Sequence, residues 1–201
     1  MLQSDIPVPD SAAARLAAET CRHFHSEALV HHCQRSYLLA AALGVHQALS
    51  FDPELLYVAA MFHDSGLAPA FDNVTRPFEE AGGDIGWVFA AGAGWRAERR
   101  QRVSEIIVRH MWRSVEPALD AEGHLLEAAT SFDIAGANPQ LWPAGLAAAI
   151  TERYPRLGLA AEFGRCFADQ AERKPDSNAA RSVRLGLVQA LAEHPLEPRS
   201  G

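Results

Sequence analysis

His63-Asp64 is the pair of neighbours in this chain most able to do chemistry. A side-by-side imidazole and carboxylate can share a proton, cap a turn, or offer one nitrogen and one oxygen to a metal ion. With nine histidines and ten aspartates in 201 residues, chance supplies such a dipeptide about once in two chains of this composition, so the pair alone is a weak motif. Its setting carries more weight. It follows the apolar run Leu55, Leu56, Val58, Ala59, Met61 and Phe62 and precedes Ser65-Gly66, where the chain must turn out of the core. An ionised aspartate at such a place is costly unless it is paired or bound to a cation. The bland alternative is Asp64 capping the next turn, with His63 stacked in the core.

Three other segments hold matching oddities. His32 shares a helical face with Arg35, Ser36 and Leu39 at i+3, i+4 and i+7, whereas His31 points about 100° away, toward the surface. His110 ends an apolar stripe made by Val103, Ile106 and Ile107, and Asp133 follows Leu126, Ala129 and Thr130 at the same offsets. Each alone is more often a satisfied polar group in a core. Four such groups facing inward from separate helices fit a shared ion better. Imidazole and carboxylate suit zinc first, with iron, manganese or nickel as alternatives. His32, His63, Asp64 and Asp133 offer two nitrogens and two oxygens and leave room for a water, whose pKa a divalent ion lowers toward neutrality.

The elements that must position these residues read as all-α. The apolar period is near 3.6 throughout, and period-two runs rich in Val, Ile and Thr are missing. Helices are predicted over 11–24, 28–49, from Pro53 up to Gly66, 78–91, 96–112, 121–136, 144–153, 157–173 and 178–194. The third is the best delimited, with Asp52 as N-cap and Pro53 at the first helical position. It has almost no polar face, so it is expected at the buried centre of the fold. Nothing marks a domain boundary. We expect an N-terminal arm over 1–10, one helical domain over 11–194 and a loose tail over 195–201.

The segments His32-Cys33-Gln34-Arg35-Ser36-Tyr37, Leu56 through Leu67, Pro77-Phe78-Glu79 leading to Gly82-Gly83-Asp84, and Ile106-Ile107-Val108-Arg109-His110 resemble the HD-domain superfamily of metal-dependent hydrolases. The closer match is its cyanamide hydratase-like branch, and the similarity spans roughly residues 30–135. The resemblance implies an HD-type bundle of about eight or nine helices with His32, His63, Asp64 and Asp133 as the ligand set. Dinuclear members carry an extra histidine before a glutamate in the helix after the His-Asp pair. Phe78 stands in that place, before Glu79, so the resemblance implies a single ion. Glu79 and His110, together with Asp64, then become the catalytic candidates, by orienting substrate or moving protons. For Glu79 the alternative is a carboxylate favoured by the helix N-terminus. Arg35, Phe71, Phe78 and Trp112 are the candidates for lining a small substrate.

Two reactions follow from the resemblance: hydration of a nitrile- or cyanamide-like substrate, and phosphohydrolysis, the commoner activity across HD domains. The second needs cations around phosphoryl oxygens. Arg35, Arg76, Arg109 and Arg113 flank the motifs, and such arginines serve a phosphate or simply pair with Asp64 or Glu79. A non-catalytic helical binding protein is the third reading, opposed by the complete ligand set. The formal net charge of −7 argues against non-specific nucleic-acid or anionic-membrane binding. Cys21, Cys33 and Cys166 show no C-x-x-C spacing, which predicts free thiols and a reducing cytoplasm. Met1–Asp10 has no apolar run of signal-peptide type, and no stretch has the ~20 apolar residues of a membrane span. A helical enzyme of this size is compatible with homo-oligomerisation, and the sequence marks no interface for it.

Overall fold

The computed structural model describes residues 6 and 8–197. The expected arm and tail are covered in part; residues 1–5, 7 and 198–201 lie outside the described residues. Among the described residues the chain is all-α, with helices α1 (Ala12–Phe24), α2 (Glu27–His46), α3 (Pro53–Phe62), α4 (Phe78–Gly92), α5 (Ala97–Arg109), α6 (Ala121–Ala135), α7 (Leu146–Arg153), α8 (Leu159–Arg173), α9 (Asn178–Arg184) and α10 (Leu187–Ala192). None is long and apolar enough to cross a membrane.

α3 sits where its sequence demanded. Asp52 accepts from the backbone N–H groups of Glu54 and Leu55, and every residue from Leu55 to Phe62 is buried. α1, α2, α5 and α6 pack around it and share its main apolar cluster. A second cluster, including Leu29, Phe78, Ile134, Phe163, Phe167 and Leu191, joins α8–α10 to the first half of the chain. The polar site lies at the seam between the two, since Leu29 belongs to one, Cys33 to the other, and His32 stands between them on α2.

Two boundaries differ from the predicted ones for physical reasons. α3 ends at Phe62, His63 is still helical, and Asp64 leads into a short 3-10 turn over Ser65–Leu67 rather than into further helix. The helix expected over 178–194 is split in two, because Gly186 adopts φ +92° and closes α9 in the left-handed conformation that glycine tolerates. The ends are also less loose than expected: Ile6 is buried, and Glu197 pairs with the buried guanidinium of Arg156.

Close approach fixes the turn after Asp64. A Cβ on Gly66 would stand 2.1 Å from the carbonyl oxygen of Phe78, and one on Gly82 would stand 3.1 Å from that of His63. These glycines let α4 press against the end of α3. Gly66→Ala is therefore expected to destabilise the protein by about 1–3 kcal/mol or more, since backbone must move to relieve the overlap. Urea unfolding checks this; an unchanged midpoint would show that the turn tolerates a side chain.

Candidate metal centre

Four helices bring five polar groups to the seam. α2 contributes His32, the end of α3 His63 and Asp64, the end of α5 His110, and α6 Asp133, all buried. His32 Nε2 lies 3.0 Å from His63 Nε2, and these nitrogens lie 3.3 and 3.2 Å from Asp64 Oδ2. His32, His63 and Asp64 thus form a compact group with the donor atoms and spacing a metal ion needs. Donors ~2.0–2.1 Å from one ion stand ~2.9 Å apart in an octahedron and ~3.3 Å apart in a tetrahedron, which brackets the observed edges.

The hydrogen bonds at the back of each ring say which atoms face the centre. His32 Nδ1 is 2.7 Å from Asp133 Oδ2, and His63 Nδ1 is 2.8 Å from the carbonyl oxygen of Ala60. An acceptor on each Nδ1 places the ring proton there and leaves lone pairs on both Nε2 atoms. Two lone pairs 3.0 Å apart beside a carboxylate repel unless a cation or proton lies among them. Both oxygens of Asp64 are buried without a hydrogen-bond partner. The three residues fit a divalent ion on these grounds.

Electrostatics follow the same geometry. Burial works to raise the carboxyl of Asp64, but His63 and His32 outweigh it and hold it well below the usual range. Burial likewise opposes ionisation of Asp133, and Arg35, with help from His32, overcomes it. His32 is pulled down by burial and, on balance, raised by Asp133 and Asp64. His110 is pushed down to about 3 by burial and by the neighbouring His63. Its Nδ1 faces the carbonyl oxygen of Ile107, and its Nε2 lies 4.0 Å from Asp64 Oδ1.

The structure does not bring every sequence candidate to this centre. Asp133 stands behind His32, outside the three-residue group, in a two-pronged ion pair with Arg35 (2.8 and 2.9 Å). Arg35 also donates to the carbonyls of Tyr154 and Pro155 and is fully buried, so its guanidinium is spent on structure. Its carboxylate partner is Asp133 rather than Asp64 or Glu79. Phe78 is buried, its ring 5.8 Å from that of His110 and 5.4 Å from that of Phe167. Phe71 lines a different, apolar groove with Phe62, Val88 and Phe89. Glu79 is buried, accepts from Asn178 Nδ2 at 2.8 Å, and is raised by burial; it does not line the cavity described next.

That cavity opens over His32, His63, Asp64 and His110 and measures about 150 Å³. Dry cavities of about this size take a molecule the size of benzene. Trp112, half exposed, lines it. Thr130, Ser131, Phe163, Phe167, Arg181 and Ser182 also line it and were not singled out by sequence. Arg76 pairs with Asp84 and Glu80, and Arg109 pairs with Asp120, so these two are occupied elsewhere, while Arg113 is exposed and does not line the cavity. Half-buried His25 was missed too. Neither of its ring nitrogens has a partner, and burial pushes it down to about 4 against the pull of Asp64.

A helical fold with two histidines and an aspartate held this way at a helix end defines a class, and residues 29–134 match the HD domain family. The chain belongs to that family. It is also 29% identical over 175 residues to two proteins of Saccharomyces cerevisiae (strain ATCC 204508 / S288c), cyanamide hydratase DDI2 and cyanamide hydratase DDI3. Each similarity covers 85% of this chain and 77% of the relative. Family and relatives together support a metal-dependent hydrolase or hydratase, with the cyanamide hydratase-like branch as the nearer kin.

Proposed function

We propose that this protein hydrates a small nitrile- or cyanamide-like substrate to the amide, using a single divalent ion held by His32, His63 and Asp64. The observation that carries this reading is the partnerless carboxylate of Asp64 beside two inward-facing Nε2 atoms, at the floor of a cavity of about 150 Å³. Zinc is the ion we assign, because two histidines and one carboxylate form a familiar open zinc site. When bound, it supplies Lewis acidity and a nucleophilic water at neutral pH.

The protein's own groups do the rest. Asp133, fixed by Arg35, holds His32 with its Nε2 forward. His110 is neutral at pH 7, keeps its proton on the side of Ile107, and presents a free Nε2 near Asp64. The water oxygen bonds to the nitrile carbon and a π pair moves to nitrogen. His110 Nε2 takes the proton that water releases and returns it to that nitrogen; the imidic acid then tautomerises to the amide. Phe163, Phe167 and Trp112 limit competing water around the substrate.

The test is a screen of purified protein against cyanamide, simple nitriles and generic phosphoesters, with metal analysis of the same sample. We expect one equivalent of ion and amide or urea formation. Exhaustive chelation should abolish turnover and lower the melting temperature, with ion at 100 times its Kd restoring about 2.7 kcal/mol. Phosphoester cleavage without hydration would replace the proposed reaction with phosphohydrolysis. A competent preparation lacking any ion would overturn both.

A further inference from the structure

Beside His32, His63 and Asp64, the same cavity is lined by α9 through Arg181 and Ser182. α9 is held from beneath. Asn178, its first residue, donates to buried Glu79 at 2.8 Å, and Ser177 caps it by accepting from the N–H of Ala180. One turn after Asn178, Arg181 is therefore presented on a fixed element rather than on a loose surface.

Arg181 differs from five arginines near the motifs, and from exposed Arg113 in lining the cavity. Arg35, Arg76, Arg102, Arg109 and Arg156 each pair with a carboxylate. The side chain of Arg181 has no acidic partner among the described residues. A half-buried guanidinium without a counter-charge is costly, and Asp64 is the sole acid lining the cavity among the described residues. With a divalent ion neutralising Asp64, the lining carries a net positive charge.

The remaining polar groups point the same way. Thr130 Oγ1 donates to the carbonyls of Leu126 and Glu127, and Ser131 Oγ donates to Glu127 Oε1. Their protons are committed, so they offer a ligand only lone pairs. Arg181 and Ser182 of α9, with the indole of Trp112, are the uncommitted hydrogen-bond donors lining the cavity among the described residues. Free donors, a positive lining and a volume near that of benzene suit a small acceptor that carries a negative charge.

We infer that the substrate is a small anion, and that Arg181, assisted by Ser182, binds its negatively charged oxygens in the cavity it shares with the His32, His63 and Asp64 cluster. The inference rests on reading this cavity as the substrate site. Arg181 is a specificity-determining residue here, acting on a substituent and not on the reacting bond. Its position also accounts for buried Glu79, which holds α9 in place through Asn178.

Cyanoacetate and neutral cyanoacetamide, nearly equal in size, supply the test. For the metal-loaded wild type, kcat/KM should favour cyanoacetate by about 10- to 100-fold, the scale of a charge-assisted hydrogen bond. Arg181→Leu should erase that preference through KM, and Arg181→Lys should retain part of it. Binding is read independently of turnover by titrating cyanoacetate against the fluorescence of Trp112, in a background where the other tryptophans are replaced by Phe. If no nitrile is hydrated but cyanoacetate still binds wild type and not Arg181→Leu, the proposed reaction fails and the anion site stands. Equal affinity in wild type and Arg181→Leu, or equal kcat/KM for the two compounds in wild type, would overturn the inference. Circular dichroism and the melting temperature of each variant show that the protein has stayed folded.

Discussion

Asp64→Ala is expected to purify as a folded, helical protein that holds no metal and turns over substrate at least about 10³-fold more slowly, the scale expected when a site loses its means of activating water. Asp64 supplies the anionic member of the three-residue group, and neither of its oxygens has another partner. Without it, two neutral imidazoles remain, too few donors for a tight divalent site. The stability result should separate a ligand from a structural cap. In the metal-free protein His63 and His32 outweigh the desolvation cost of Asp64, so the metal-free variant should melt modestly below the metal-free wild type. Adding ion should raise the melting temperature of wild type and leave Asp64→Ala unmoved. Metal analysis and paired melting curves measure both. Full metal occupancy in Asp64→Ala, or a large loss of stability without metal, would return Asp64 to the role of a turn cap.

Arg35→Leu should behave in the opposite way, with its largest effect on stability. Arg35 is buried and grips both oxygens of Asp133. Its removal strands a buried carboxylate, with Arg156 Nη1 3.7 Å from Oδ1 as the nearest remaining cation. Breaking such a pair from one side costs about 3–5 kcal/mol, which urea unfolding will read directly. Asp133 also holds Nδ1 of His32, so a disturbed Asp133 should weaken metal binding by about 10- to 100-fold, the usual effect of losing a group that orients a ligand. The double variant Arg35→Leu with Asp133→Leu removes both charges and should recover much of the stability while leaving metal binding weak. A substrate-binding Arg35 predicts something else: a raised KM in a protein as stable as wild type.

These two residues also show how far sequence reaches. Arg35 and His32 share a face because they lie three apart on a helix, and that spacing is legible without a structure. Whether the guanidinium then serves a substrate phosphate or a neighbouring carboxylate depends on what α6 places opposite. Asp133 shows the same limit. An apolar stripe ending in aspartate says that the side chain faces inward, and it does. It does not say which side of the His32 ring the carboxylate meets, and that difference separates an ion-holding oxygen from an orienting one.

The helices, their approximate ends, the buried centre at α3 and the trio His32, His63 and Asp64 were all written in local pattern, because period, caps and unusual polar residues act over a few turns. The pocket was not. Arg181 and Ser182 belong to a short helix whose sequence resembles any exposed segment, and one arginine among many carries no mark of its surroundings. Phe71, adjacent in sequence to the motif, went to another groove, while Phe163 and Phe167, a hundred residues from the His-Asp pair, closed over it. The His-Asp pair at the end of a buried helix was thus determined by the chain alone. Which atoms face the centre, and which residues line the cavity over it, were decided by how α6, α8 and α9 close on that helix, since side-chain neighbours distant in sequence are set by packing.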